Sequence, residues 1–439
     1  MNRWKIALMT HGGRGDVQPM VALAAELARR GHSPVLAVPS GAVDFVRGCG
    51  LVAEPLPGDW QAYFESPEAD RTWMASGDTS SLLTELRRVM ADNAAEIART
   101  LGRISRDADV IVSGMLTEDV AAVLAEALRI PLALLHMFPV RPTDALPNCL
   151  VSTRISEVPG ENLATHELFE RSAWEGRRDG INRMRAALGL PPTDVSTPVR
   201  ASRLGAVEIQ TYSPNVVRGL DWPPSRPVIG WMELNGHGRR IGAEAGLPAD
   251  LERWLEAGPA PVYVGFGSSP IADPAATVRM VEDVMRELGL RAVVASGWGA
   301  LPDAAVSDTE RIRVVDSVDH SALLPRCRAA VHHGGSGTVA ATLRAGLPMM
   351  ACSVLLDHAM WGELVARSGV GVHQPFRELT RDSLLTGVRQ LLDPHMVGQA
   401  GALGKLVCAE PDAVCMAADI ILDHVGNYQP GGPEVPGPP

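Results

Sequence analysis

The sequence predicts an α/β protein of two doubly wound, Rossmann-like domains facing each other across a cleft. Three observations lead there. Short apolar runs alternate with longer helical ones, this alternation restarts near residue 262 after an aperiodic Gly-rich stretch, and the first strand of each series runs into a glycine-rich turn. Short strands joined by helices are the pattern of a parallel sheet covered on both faces. Two such series in succession bring the carboxyl ends of two sheets to one crevice, where doubly wound sheets bind ligands.

The first series opens with a strand over Lys5–Thr10 and a helix from about Val17 to Arg30, stopped by Gly31 and His32. Strands over Ser33–Val38 and Leu51–Leu56 flank a short helix, Val43–Cys49. A helical stretch from Ser81 to about Ser105 leads to a strand Val110–Ser113, a helix Val120–Leu128 and a strand Leu132–His136. Residues Pro139–Pro159 read as irregular, Glu161–Leu188 as helical, and Ala206–Thr211 and Pro227–Ile229 as extended. The second series runs through a strand Val262–Phe266, a helix Ala276–Leu288, and strands Ala292–Ala295, Ile312–Val315 and Ala329–His332. A helix from about Gly337, a strand Met349–Cys352, a helix Ala359–Arg367 and two more helical stretches complete it. The expected domains are therefore 1–230 and 256–429, joined by a linker at 231–255. The tail 430–439 (PGGPEVPGPP) has too little apolar surface to pack and is expected to be disordered.

Composition narrows the function classes. The chain has 439 residues with 40 Lys and Arg against 51 Asp and Glu, a net charge of −11, and no long basic run. That argues against a nucleic-acid backbone or an anionic membrane surface as partner. A small anion is still admissible, because loop amides at a helix start bind phosphate locally. No 18-residue uncharged apolar stretch exists, so no spanning helix is expected, and Ile6–Met9 is too short for a leader's apolar core. The six cysteines are scattered without a C-x-x-C, and Cys408 and Cys415, seven apart in a helical stretch, are expected to face the core. The economical expectation is a reduced, cytoplasmic protein.

Three Gly-rich segments sit at strand-to-helix junctions: His11–Asp16 (HGGRGD), Gly265–Ser269 (GFGSS) and His332–Thr338 (HHGGSGT). Glycines let a backbone approach a ligand, and the helix that follows aims unpaired N–H groups and its positive dipole end at the loop. In the third, Ser336 and Thr338 add hydroxyls, and a His332 imidazole is expected to donate to a phosphoryl oxygen. A tight turn with ordinary helix capping is the competing reading. None of the three has the G-x-G-x-x-G spacing, the second strand lacks a terminal acid for a ribose, and no G-x-x-x-x-G-K-[ST] occurs. Asp107-Ala108-Asp109 lies at a helix-to-strand junction, where solvated or capping carboxylates are expected, and His332-His333 has no third metal ligand nearby in sequence. No metal site and no cofactor are expected.

Five segments together carry a resemblance: HGGRGDVQP near the N-terminus, PVYVGFGSS opening the second half, SGWGAL at 296–301, VDHSALLPRCRAAVHHGGSGTVAATLRAGLP at 318–348, and DHAMWGELVARSGVG at 357–371. In this order across both halves they resemble a GT-B-fold, family 1-type glycosyltransferase of the bacterial natural-product and sterol-glucosyltransferase-like branch. The resemblance implies inverting, metal-independent transfer of a sugar from a UDP- or dTDP-sugar to a small hydroxylated acceptor. The N-terminal half would bind the acceptor and the C-terminal half the nucleotide-sugar donor.

It further implies that His332, Gly334, Gly335, Ser336, Gly337 and Thr338 hold the diphosphate, with Ser268 in the loop opening the second half. Ser296, Gly297 and Trp298 would contact the base, with simple core packing as the competing role for Trp298. Gly13 and Arg14 would reach across the cleft toward the phosphates. Asp357 and His358 stand where the family has an Asp-Gln pair on the sugar hydroxyls, and the histidine is a departure that touches sugar choice.

Asp16 is the expected general base on the acceptor hydroxyl. Many relatives have a histidine at this spacing, whereas here it reads Gly15-Asp16-Val17-Gln18-Pro19. A free Asp is a weak base, but it can take the proton late, as the new bond forms, and burial in a closed cleft strengthens it. Capping the first helix is the alternative role for Asp16, and His11 is the alternative base. Glu118 and Asp119 lie beyond the strand that would supply a histidine's partner, and they assign no dyad. The apolar residues Trp60, Tyr63, Phe64, Trp73, Met137 and Phe138 suggest lining for an apolar acceptor. Three rival functions remain: a nucleotide-sugar 2-epimerase, a catalytically silent partner of another glycosyltransferase, and an NAD-dependent oxidoreductase.

Overall fold

The computed structural model describes residues 2–58, 79–234, 246–267, 273–295, 310–316, 318–354 and 357–429. Two parallel six-stranded sheets form, each covered by helices. The first comprises β1 (Lys5–Met9), β2 (Ser33–Pro39), β3 (Val52–Leu56), β4 (Val110–Gly114), β5 (Leu132–His136) and β6 (Val207–Gln210), in the order β3-β2-β1-β4-β5-β6. The second comprises β7 (Val262–Gly265), β8 (Ala292–Ala295), β9 (Ile312–Val315), β10 (Ala329–His332), β11 (Met349–Ser353) and β12 (Gly371–Pro375), in the order β12-β11-β10-β7-β8-β9. Renumbered from its own first strand, the second sheet repeats the order of the first. The expected pair of doubly wound domains is therefore what the chain builds.

The central strands β4, β5, β7 and β10 are buried along their whole length, as uniformly apolar parallel strands covered on both faces should be. β12 was not expected from the sequence, since Gly371-Val372-His373-Gln374-Pro375 has no clear pattern. Gly371 makes the pairing possible: a Cβ there would lie 2.0 Å from the Met349 carbonyl oxygen, its partner on β11.

Both halves contribute to each other's cores. The last helix, Ala413–Gly426, falls within the expected C-terminal domain, yet its apolar stripe Ala417, Ala418 and Ile421 is buried in the core formed by the N-terminal sheet. Arg30, the C-cap of the first helix, pairs with Asp419 and donates to the Cys415 carbonyl at 3.2 Å, fixing that contact. Conversely Leu146, Cys149, Tyr212, Val216 and Trp231 are buried together with Trp361 and Leu364 of the C-terminal half. The expected linker begins as the buried residues Trp231, Met232 and Leu234 and ends in the helix Ala249–Glu256.

The two cysteines expected to share one core-facing stripe do not. Cys408 ends one helix and is exposed, while Cys415 sits half-buried in the next. Asp412 separates them by opening a new helix, its carboxylate accepting from the Val414 and Cys415 amides at 2.9 and 3.0 Å. Among the described residues no helix is long and apolar enough to cross a membrane.

Candidate active site

In each sheet the strand order reverses between the first and fourth strands, at β1/β4 and β7/β10, which is where a doubly wound sheet opens a crevice at its carboxyl end. The loops after β1, β10 and β11 carry the residues that matter.

After β1 the chain makes a tight turn at Gly12, whose φ of +119° favours glycine, and Gly13 starts the helix Arg14–Arg29 as its N-cap. Asp16, at the third helical position, folds its carboxylate back so that Oδ2 accepts the Gly13 amide at 3.0 Å. A Cβ at Gly12 would lie 2.2 Å from that oxygen, so the glycine is what leaves the carboxylate its room. Asp16 thus does cap its helix. Burial, and then the charge of Asp357 from the C-terminal half, nevertheless push its carboxyl up to about 7, against the pull of the Gly13 N–H.

His11 is placed differently. The Gly12 amide donates to its Nδ1 at 3.0 Å, so the ring proton is on Nε2, which donates to the Pro57 carbonyl at 2.8 Å. With both nitrogens so engaged, His11 has no lone pair to serve as a base. Neither acid beyond β4 partners it: Glu118 pairs with Arg141 and lies 3.4 Å from His136, and Asp119 with Thr197 and Arg177. The guanidinium of Arg14, expected to reach toward the phosphates, lies over the Phe45 ring of its own half, 4.7 Å from the centroid. Met137, expected as pocket lining, is buried in the N-terminal core, while Phe138 packs against both cores.

After β10, His332 is fully buried. Its Nδ1 accepts the Gly334 amide at 3.0 Å and its Nε2 faces the Met349 sulfur at 3.3 Å. The expected donation from His332 to a phosphoryl oxygen is therefore corrected: the ring points into the core and shapes the loop from beneath. Burial holds His332 neutral, pushes His333 down to about 4, and holds His358 well below the ordinary imidazole value. Gly334, at φ +85°, leaves room for the His358 carbonyl, which a Cβ would approach to 2.9 Å. Gly335 is the N-cap of the helix Ser336–Arg344, and no side chain caps it. The first-turn N–H groups of Ser336 and Gly337 are thereby left for a ligand, with the helix dipole behind them. With three neutral imidazoles around an uncapped helix start, this loop presents amide dipoles rather than side-chain charge.

After β11, Asp357 is the N-cap residue of the helix His358–Arg367 but makes no capping hydrogen bond. Its Oδ2 accepts the indole N–H of Trp361, one turn along, at 2.7 Å. Burial pushes its carboxyl up to about 6, with the Trp361 bond opposing. The His358 ring lies edge-on to His333, centroids 4.8 Å apart. Cys149, from the irregular segment before residue 160, is buried near enough to Asp357 for that charge to raise its thiol further, after burial itself.

Asp357 of the C-terminal half thus lies within range for its charge to raise Asp16, and the loop Gly334–Thr338 lies beside Asp357 through the Gly334–His358 contact. Ser268, Ser296, Gly297 and Trp298 lie outside the described residues, as do Trp60, Tyr63, Phe64 and Trp73. Trp361 was missed from sequence although its i, i+4 spacing to Asp357 on a helix start was a usable signal. Among the described residues no group of three or more His, Cys, Asp or Glu side chains is placed to hold a metal ion.

Residues 6–147 match the glycosyltransferase family 28 N-terminal domain, and residues 288–421 match the erythromycin biosynthesis protein CIII-like C-terminal domain. The uncharacterized glycosyltransferase Rv1524 of Mycobacterium tuberculosis is 32% identical over 431 residues, covering 95% of this chain and 98% of the relative. A sterol 3-beta-glucosyltransferase of Arabidopsis thaliana is 30% identical over 434 residues, 96% of this chain and 68% of that protein. Among solved structures, the calicheamicin glycosyltransferase CalG4 superposes with a TM-score of 0.70 at 17% identity, covering 97% of this chain and 99% of its own. The glycosyltransferase VinC, solved in complex with dTDP, gives 0.64 at 20% identity over 96% of this chain and 100% of its own. These two likenesses are of fold.

Proposed function

The chain belongs to the family 28 and EryCIII-like glycosyltransferases, which makes it a nucleotide-sugar-dependent glycosyltransferase, and from there we propose the finer reaction. It moves a hexose from a UDP- or dTDP-sugar to a hydroxyl of a small, apolar natural-product acceptor, with inversion and with Asp16 as general base. What carries this reading is the buried Asp16 carboxylate in the loop after β1, held by the Gly13 N–H at 3.0 Å and raised to about 7 by burial and by the charge of Asp357 from the other half.

The acceptor oxygen attacks the anomeric carbon as the bond to the diphosphate oxygen breaks on the opposite face. The hydroxyl proton passes to Asp16; Oδ2 already accepts the Gly13 N–H, which leaves Oδ1 for it. A base with pKa near the working pH suits such a late transfer. Gly13 holds the carboxylate through its amide. The departing diphosphate gains charge, and we assign its stabilisation to the Ser336 and Gly337 amides and the Ser336 and Thr338 hydroxyls, a preorganised electrostatic seat. Asp357, with one oxygen held by Trp361, offers the other to a sugar hydroxyl, and His358 beside it contributes to the choice of sugar. Ser268 is assigned to the diphosphate, and Ser296, Gly297 and Trp298 to the base.

Asp16→Asn tests the assignment, because the amide oxygen still accepts the Gly13 N–H while the basicity is gone. Turnover should fall about 10²–10⁴-fold, the usual size of a general-base contribution, with the Kd for UDP or dTDP within about twofold of wild type. Equal loss of binding and turnover would reduce Asp16 to a cap.

A further inference from the structure

Trp231 is where the chain leaves the N-terminal half, directly after the extended segment that pairs Val228 with Gln210. Its indole N–H donates to Ser336 Oγ at 2.9 Å. Its ring lies 5.8 Å from that of Trp361, whose own N–H holds Asp357. Its carbonyl accepts from Arg344 at 3.0 Å, at the far end of the helix that Ser336 opens, and Arg344 also pairs with Glu233 two residues along the crossover. One crossover residue therefore touches both pieces of the donor loop region.

We propose that Trp231 is a positioning residue of the donor site, setting the Ser336 hydroxyl for the diphosphate and, through Trp361, the Asp357 carboxylate for the sugar. The inference rests on the functional reading above. A serine hydroxyl has one proton and two lone pairs. With the Trp231 N–H on a lone pair, the rotor is fixed and the proton is left to donate outward, where the Ser336 and Gly337 amides already point. Trp361 packs against both Trp231 and Tyr212, the latter 6.2 Å away and edge-on at 64°, so its N–H keeps its aim at Asp357. The competing role for Trp231 is buried area alone.

Phenylalanine separates the two, since it keeps the ring and drops the donor. Trp231→Phe should weaken UDP or dTDP binding about three- to tenfold, the equivalent of one ordinary hydrogen bond, and raise donor KM by the same factor with kcat within about twofold. Ser336→Ala should weaken binding at least as much, since it also removes the hydroxyl's own bond to the diphosphate, and the double variant should be no worse than Ser336→Ala, because Trp231 acts on the diphosphate only through that hydroxyl. Trp361→Phe should leave bare nucleotide binding within about twofold but raise the KM of the intact nucleotide sugar about three- to tenfold. Additive losses in the Trp231/Ser336 double variant would overturn the proposal. So would a Trp231→Phe protein that binds nucleotide like wild type and differs only in melting temperature. A wild-type protein that binds neither UDP nor dTDP would overturn the functional reading beneath, and the inference with it.

Discussion

Helix starts in the C-terminal half are of two kinds. The helices opening at Pro274, His320, Arg381, Pro394 and Ala413 each have a side-chain cap, from Asp273, Asp319, Thr380, Asp393 and Asp412 respectively. The helices opening at Ser336 and His358 have none. These two follow β10 and β11, at the carboxyl edge of the sheet, and the second begins beside Asp357, whose charge reaches Asp16. A side-chain cap satisfies orphan amides and stabilises by roughly 0.5–2 kcal/mol. Where the cap is missing, the amides stay available and the stability is forgone. Asp357 makes the contrast sharper, since it occupies the N-cap position and yet spends its carboxylate on Trp361. In this series the two starts without a side-chain cap are the ones that follow β10 and β11.

The sharpest way to break this comparison is through the acid that faces the uncapped starts. In Gly12→Ala the new Cβ would collide with the Asp16 carboxylate while leaving Asp16 itself in place. Turnover should fall by about a hundredfold or more from misplacement of the base alone, measured with donor and acceptor saturating. Next in size is Gly337→Asp, at a position where a Cβ meets nothing within 4 Å. An acid in the first turn suits the helix dipole but opposes a diphosphate, so nucleotide binding should weaken about tenfold or more while the melting temperature holds or rises.

The acid pair sets a pH dependence of similar size. Asp16 must be ionised to accept a proton, so kcat/KM should fall as pH drops below about 7, and more steeply below about 6 where Asp357 also protonates. The stability sign is opposite. A carboxyl raised in the folded state binds its proton more tightly there than in the unfolded chain, so stability declines as pH rises from about 4 toward 7. Asp16→Asn should therefore raise the melting temperature at pH 8 more than at pH 4, although it removes activity. The smallest effect belongs to a capped start: Asp393→Ala should cost about 1 kcal/mol in denaturant unfolding and leave kinetics unchanged.

Much of this was legible in the sequence. Local apolar patterning is enough to place the strands Leu132–His136, Ala292–Ala295, Ile312–Val315 and Ala329–His332, because buried parallel strands are short continuous apolar runs. The Gly-rich turns at residues 11–16 and 332–338 are legible for a similar reason: a turn that needs positive φ or close approach needs glycine. What could not be read is tertiary. Trp231 and Ser336 are 105 residues apart, and no spacing rule joins them. The direction of His332 depends on Met349 beneath it, and the last helix crosses back to the first core because its stripe of alanines fits there. His11, the alternative base, is set apart from Asp16 by contacts that the fold supplies: the Gly12 amide on one ring nitrogen and the Pro57 carbonyl facing the other.

The most direct measurement is a thermal-shift series with UDP, dTDP, GDP and NAD(H) on the wild-type protein and on Gly337→Asp. A ligand at 100 times its Kd stabilises by about 2.7 kcal/mol, which a melting curve resolves. A rise with UDP or dTDP alone, lost in Gly337→Asp, is the result expected of a donor seat built on the uncapped start at Ser336. A shift with NAD(H) alone, or a nucleotide shift that Gly337→Asp leaves intact, would contradict it.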